Sequence, residues 1–197
     1  MDSLNDLNGT ARQRMRTAYS TTAQRGFTLV ESVLVMVILA ILFCLAVPAL
    51  NGLLARQRLT TAQADLIAAL QHARGLAATS RRRILFCPSR DGQRCADDTH
   101  WEKGWIIGPY RSSNAEQLDG LPLRVHDDYA GLIITSTSGR KRIRFQPDGT
   151  SGGSTVTFIL CRPGHAEDAL AIKLSNVGRV VGAKVAADEA AQCANGS

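Results

Sequence analysis

The most prominent hydrophobic pattern is a run of apolar residues over positions 27–47, in which Glu31 is the only charged side chain. These 21 residues would form a helix about 32 Å long, enough to cross a hydrocarbon core of about 30 Å. A basic segment precedes the run, with Arg12, Arg14, Arg16 and Arg25. Because basic flanks stay in the cytoplasm, the pattern predicts a single membrane span with the C-terminal part carried across.

Two ordinary explanations of this run leave features unexplained. A cleaved signal peptide has a shorter apolar core of about 7–15 residues followed by a small-residue cleavage site, and residues 47–49 match such a site poorly. A simple membrane anchor explains the length, but it explains neither Glu31 nor Gly26.

The helical pattern continues beyond Pro48 with apolar residues at steps of three and four. They are Leu59, Ala62, Leu66, Ile67, Leu70, Ala73 and Ala77. Polar side chains fall mostly between them, which predicts a water-exposed helix with one apolar stripe. We expect this stripe to pack against a sheet; a helix that binds a partner protein is the alternative.

From Arg81 onward the pattern changes to short β-like runs separated by turn residues. The predicted strands are 84–87, 104–107, 121–125, 132–135, 141–146, 155–161, 169–174 and 179–185. Trp101 and Trp105 are expected to be packing residues, with ligand stacking as the alternative. The whole pattern predicts an α+β fold in which one long N-terminal helix packs on antiparallel β-sheet.

The cysteines indicate an oxidising compartment for the part that follows the membrane run. Cys87, Cys95, Cys161 and Cys193 form an even set there, while Cys44 lies within the apolar run. An even set outside the cytoplasm predicts two disulfide bonds, although four cysteines allow three arrangements.

The segment "RGFTLVES" at residues 25–32 resembles the processing site of type IV prepilins. The resemblance implies that a prepilin peptidase cleaves between Gly26 and Phe27 and methylates the new amine of Phe27. It also implies that Glu31 is an assembly residue, which meets the Phe27 amine of a neighbouring subunit. A lone carboxylate in lipid is costly and is usually paired; the alternative is a glutamate that reaches to the membrane interface. Translation could start at Met1 or Met15.

Later segments resemble the GspH/FimT family of minor pilins and pseudopilins. They are "FCPSRDGQRC", "WEKGW", "RFQPDGTSGG", "TFILC" and "LSNVGRV". The resemblance implies a pilin-like fold with a leader peptide at 1–26, a long helix at 27–80 that is transmembrane to about residue 47, and a β-rich globular domain at 81–197. Within it we favour disulfides Cys87–Cys95 and Cys161–Cys193, and the connectivity stays open.

The implied function is that of a structural subunit that helps to initiate or cap a pilus filament. The alternative is a type II secretion system pseudopilin of the H type. The implied partners are the prepilin peptidase, other major and minor pilins or pseudopilins, and an inner-membrane assembly platform. The protein is expected in the bacterial inner membrane as a single-pass chain with a periplasmic C-terminal domain, and then in the filament.

An anchored periplasmic enzyme is a third class, which the motifs disfavour. The G-x-S-x-G match at 149–153 needs a strand-to-helix elbow, whereas both of its flanks are predicted strands. The histidines, at positions 72, 100, 126 and 165, lack metal-ligand spacing. We therefore expect no catalytic residue, no metal and no cofactor.

Nucleic acid is a candidate partner because the chain is basic, with a formal net charge of +6. In "GRKRIRFQ", strand alternation would put Arg140, Arg142 and Arg144 on one face, spaced roughly 6.8 Å apart. Such a row could follow phosphates in DNA. The alternative is a solvated face paired with acids such as Asp127, Asp128 or Asp148.

A second candidate DNA contact lies near the C-terminus. Some DNA-uptake relatives carry a Gly-Arg-x-Arg signature, and here the matching positions are Gly178, Arg179, Val180 and Val181. The second arginine is missing and the next base is Lys184, so the match is partial. The run 81–83, three arginines at the end of the long helix, is interpreted first as helix termination and second as part of a basic patch.

Overall fold

The computed structural model describes Gly26 and residues 28–196. Phe27 and the predicted leader up to residue 25 lie outside the described residues. The chain divides into two compact units, one ending at Ala46 and one comprising Val47–Ser197. Helix α1 (Leu29–Ser80) contributes residues to both units.

The N-terminal unit presents apolar side chains to its surroundings. Leu29, Met36 and Phe43 are 80%, 73% and 63% exposed. By length and composition, helix α1 contains a segment apolar enough to cross a membrane. At the start of α1 the Thr28 hydroxyl accepts a hydrogen bond of 3.3 Å from the backbone N–H of Glu31. Thr28 therefore acts as an N-cap, and Glu31 lies in the first turn, where a carboxylate is favourable.

Within the second unit, α1 buries the apolar stripe expected from its sequence. The fully buried positions are Leu59, Ala62, Leu66, Ala69, Leu70, Ala73 and Ala77. Ala69 was not part of the predicted stripe, and Ile67 is only partly buried. These side chains join the main hydrophobic core, so the prediction that the stripe packs against sheet is confirmed.

The strands form two antiparallel sheets of four. The first contains β1 (Ile84–Pro88), β2 (Trp105–Pro109), β3 (Arg124–His126) and β5 (Ile143–Phe145). Its strand order is β3-β2-β1-β5. The second contains β4 (Ile133–Ser136), β6 (Val156–Arg162), β7 (His165–Leu174) and β8 (Val180–Ala183). Its strand order is β4-β6-β7-β8. Each predicted strand is present, which confirms the α+β class. The division into two sheets and the helix α2 (Ala187–Ala194) were not predicted.

Aromatic side chains join the two sheets in the core. The ring of Trp101 stacks on Phe86 of β1 with centroids 5.0 Å apart. Its other neighbour is Phe158 of β6, which it meets edge to face, also at 5.0 Å. Trp101 and Trp105 are both fully buried. They are therefore packing residues, as the sequence indicated.

Two disulfide bonds hold the globular unit. Cys87 is bonded to Cys95, and Cys161 of β6 to Cys193 of α2, the pairing favoured among the three arrangements. The second bond fastens α2 to its sheet, where Ile159, Cys161 and Cys193 form a small buried cluster.

Candidate functional site

Two of the residues predicted for processing and assembly, Gly26 and Glu31, lie near the start of α1. Gly26 is exposed, and a Cβ at that position would meet no atom within 4 Å. Glu31 is exposed in the first turn of α1. The contact between Glu31 and the amine of Phe27 involves a second subunit, so the assembly role stays a prediction.

The arginine row of β5 and the segment before it does not form an open cationic face. Arg142 is only 6% exposed. Its Nε donates to the carbonyl of Glu116 at 2.8 Å, and its Nη1 donates to the carbonyls of Ala96 and Lys141 at 2.8 and 3.0 Å. Burial lowers the pKa of the Arg142 guanidinium, while the nearby Glu116 and Asp97 carboxylates oppose that shift.

Arg144 and Lys141, the neighbours of Arg142, also form hydrogen bonds or ion pairs within the protein. Arg144 donates from Nε to the carbonyl of Ala115 at 3.1 Å and forms an ion pair with Glu116. Lys141 pairs with Asp97 at 2.9 Å. The expected acidic partners at positions 127, 128 and 148 were therefore wrong, because two segments earlier in the chain, 96–97 and 115–116, supply the carboxylate and carbonyl acceptors.

Replacing Arg142 by alanine should lower the free energy of unfolding by about 2–3 kcal/mol, because three carbonyl acceptors would lose a charged donor. Thermal unfolding followed by tryptophan fluorescence would measure this loss. Arg179→Ala removes the same charge from an exposed side chain and should change stability by less than about 0.5 kcal/mol. Equal effects of the two substitutions would show that Arg142 is not a structural residue.

The residues that match the partial DNA signature follow β7. Gly178 has φ of +77°, and a Cβ there would lie 2.2 Å from the carbonyl oxygen of Gly149 and 2.9 Å from Nε of Arg74. That guanidinium in turn donates to the Gly149 carbonyl at 2.9 Å. Gly178 is therefore required by the packing of two turns against α1. Arg179 and Lys184 are exposed, and their contact with DNA stays a prediction.

The G-x-S-x-G match is a turn between β5 and β6, as expected from its flanks. Ser151 is fully buried, and its hydroxyl donates to the carbonyl of Ser175 at 3.0 Å. A serine held in this way presents no exposed nucleophile. The segment joins β5 of the first sheet to β6 of the second and has no strand-to-helix elbow.

A polar network missed by the sequence analysis fixes α1 to the first sheet. The indole Nε1 of Trp105 donates to the Tyr129 hydroxyl at 3.0 Å, and that hydroxyl donates to Oδ2 of Asp65 at 2.7 Å. His126 Nε2 lies 3.1 Å from the same Asp65 oxygen, and its ring stacks between Trp105 and Tyr129. Burial raises the pKa of Tyr129 above its ordinary range, and the bond to Asp65 adds to the rise. The phenol therefore remains a donor.

One acidic cluster outside these regions has the spacing of metal ligands. Ligand atoms of His165, Glu167 and Asp168 all lie within 4.8 Å of one another. However, Asp168 forms ion pairs with Arg162 and with Nε of Arg56, the latter at 2.9 Å. Burial alone would raise the pKa of Asp168, but these two cations lower it. The cluster is best described as an ion-pair network that joins α1 to the β6–β7 hairpin.

Comparisons with known proteins agree on one family. The family described as "Type II transport protein GspH" matches residues 62–178, and the "Prokaryotic N-terminal methylation motif" matches residues 21–45. Two crystal forms of the type IV minor pilin FimU of Pseudomonas aeruginosa are similar, with 27% identity in both and TM-scores of 0.56 and 0.53. They cover 71% and 68% of this chain, and 97% and 98% of FimU. A search among curated proteins finds no significant match.

The N-terminal motif spans Gly26, Phe27 and Glu31, and the longer match spans most of the globular unit. Together with the apolar start of α1, the buried second part of α1 and the antiparallel sheets, these matches account for both units of the chain. The protein belongs to the GspH family and is a type IV pilin-like protein.

Proposed function

We propose that this protein is a minor type IV pilin, a structural subunit that helps to initiate or cap a pilus filament. The observation that supports this most directly is the similarity to the minor pilin FimU over 97% of that chain, at 27% identity. Family and fold are those of structural pilins. An H-type pseudopilin of a type II secretion system is the second candidate, because the matching family carries that description.

The proposed mechanism is assembly through the N-terminal helix. The precursor is held in the inner membrane by the apolar segment of α1, with the globular unit in the periplasm. Prepilin peptidase cleaves after Gly26 and methylates Phe27, which places a positive amine at the tip of the helix. In the filament, that amine neutralises Glu31 of an adjacent subunit, and such pairing is favoured because an isolated charge among apolar helices is costly.

The globular unit is proposed to contact other major and minor subunits, while the assembly platform acts on the membrane segment. Its two disulfides and its aromatic core support this role, because disulfides are stable in the oxidising periplasm. DNA capture through Arg140, Arg142 and Arg144 has little support, because Arg142 is buried and Arg144 is paired with Glu116. Arg179 and Lys184 remain exposed cations, and a DNA contact there would have to be made without the second arginine of the signature.

The substitution Glu31→Ala tests the assembly role. The variant should be cleaved and methylated nearly as well as the natural protein, because Glu31 lies beyond the scissile bond. Its incorporation into sheared filaments should fall at least about tenfold, since the amine of the neighbouring subunit would be left unpaired at a cost of about 2.5–3.5 kcal/mol. Immunoblots of membranes and filaments, with intact mass of the processed chain, provide the measurement.

Ser32→Ala is the matched control, because it alters the adjacent helical position without removing a charge. Filament incorporation of Glu31→Ala at the control level would refute the assembly role. Deletion of the gene then distinguishes the two candidate functions. Loss of surface pili supports the minor pilin, whereas loss of protein secretion with normal pili supports the pseudopilin.

A further inference from the structure

Four arginines surround a cleft at the C-terminal end of α1. Arg81, Arg82 and Arg83 follow the last helical residue, and Arg111 comes from the turn after β2. With Asp119 they line an open surface depression of about 560 Å³. We refer to these five residues as the arginine cleft.

The charges of the arginine cleft are not balanced. Oδ2 of Asp119 lies 3.0 Å from Nε of Arg111 and 3.8 Å from Nη2 of Arg82. Among the described residues, Asp119 is the only carboxylate in ion-pair contact with these arginines. Arg83 donates instead to the neutral amide of Gln146 at 3.2 Å. The negative end of the helix dipole offsets only about half a charge, so the cleft carries a net positive charge that favours an anion.

The backbone of Arg81 points to a role for its side chain. Arg81 has φ of +52° and is the only non-glycine with positive φ among the described residues. The position directly after a helix commonly adopts this left-handed conformation, which glycine adopts without strain. A side chain with a Cβ is strained there. An arginine at this position therefore adds a guanidinium to the cleft, although its backbone conformation is strained.

The donors match the oxygens of phosphate better than those of a carboxylate. A single carboxylate brings one charge and two oxygens, and Asp119 already fills that role. A phosphate group offers more oxygens to planar guanidinium forks. Ser112 and Ser113 also line the cleft, and serine hydroxyl groups commonly donate to phosphate oxygens.

We propose that the arginine cleft binds a phosphate-type anion, presented as a phosphate ester by a larger molecule. This site is distinct from the row at positions 140–144 and from the C-terminal signature, and it does not depend on the proposed pilus role. The phosphate ester could belong to a nucleic-acid backbone or to a lipid or glycan headgroup, which share this chemistry.

The test uses the full-length protein in an uncharged detergent, with pyrophosphate as the probe. Isothermal titration should detect binding of pyrophosphate, and thermal unfolding should show a higher Tm in pyrophosphate than in chloride at equal ionic strength. The chain has two tryptophans, both buried in the globular unit, so their fluorescence reports its unfolding.

Arg81→Gly separates binding from stability. Glycine suits the backbone at φ of +52°, so the Tm without ligand should be unchanged or higher. Affinity for pyrophosphate should fall about tenfold, the usual effect of losing one charged hydrogen-bonding group. Arg111→Ala should lower affinity similarly, whereas Arg58→Ala, an equal charge change at an exposed position of α1, should leave it within about twofold.

Competition then identifies the source of the phosphate. Displacement of pyrophosphate by a single-stranded oligodeoxynucleotide supports a nucleic-acid backbone, and displacement by glycerol 3-phosphate supports a headgroup. The proposal is overturned if pyrophosphate neither binds nor raises the Tm relative to chloride. It is also overturned if Arg81→Gly and Arg58→Ala reduce affinity equally, because binding would then depend on net charge alone.

Discussion

Replacing Gly178 by alanine is expected to lower the free energy of unfolding of the globular unit by about 4 kcal/mol. Two terms of about 1–3 kcal/mol contribute: a Cβ at positive φ is strained, and overpacking forces neighbours apart. The nearest neighbour is the backbone carbonyl of Gly149, 2.2 Å from the added Cβ, and a carbonyl moves less readily than a side chain. Tryptophan fluorescence should show a Tm lower by roughly 8–16 °C.

Gly131→Ala is the matched control for this prediction. Gly131 has φ of +75°, almost the same as the +77° of Gly178, but an added Cβ there meets nothing within 4 Å. It should therefore cost only the backbone strain, about 1–2 kcal/mol. If both substitutions lower the Tm equally, the approach of the two turns is not the reason for glycine at position 178.

This prediction also bears on the partial DNA signature. Gly178 is fully explained by the close approach to Gly149 and Arg74. Its presence beside Arg179 is therefore no independent sign of DNA binding. A glycine would be needed at this turn in any chain that packs its helix and turns in the same way.

Removing the Cys161–Cys193 bond with the double substitution to alanine should destabilise the globular unit by about 4 kcal/mol. The bond spans 32 residues, and closing a loop of that size restricts the unfolded chain by about this amount. It also holds α2, whose eight residues are too few for a stable helix alone. Hydrogen exchange over 187–194 should become faster, together with a lower Tm.

The second disulfide provides the comparison. The Cys87–Cys95 bond spans only eight residues, so its replacement by two alanines should cost less, about 2.5 kcal/mol. Hydrogen exchange in α2 should then become faster only as far as the lower global stability requires. A larger effect from the short loop, or unchanged exchange in α2 without Cys193, would contradict this account of how the C-terminus is held.

The sequence by itself determined the helix and strand pattern to a large extent. Apolar residues at steps of three and four marked the buried face of α1, and all eight strands were found near their predicted positions. These patterns are local, because burial of one face imposes a period of 3.6 residues on a helix and of two on a strand. The short helix α2 was missed, since eight residues carry too little periodicity and its packing depends on a disulfide.

Tertiary structure alone decided which charged side chains are free. In the sequence, Arg142 resembled its neighbours in an exposed row, and Arg81 resembled a helix terminator. Arg142 is buried against segments 26 and 46 residues earlier in the chain, whereas Arg81 joins a cleft completed by residues about thirty positions later. Likewise Asp65 meets Tyr129 across 64 residues, and Arg74 meets Gly149 across 75. Periodicity indicates only which face of an element is buried. The pairing of charges depends instead on which distant segments the fold brings within hydrogen-bonding distance.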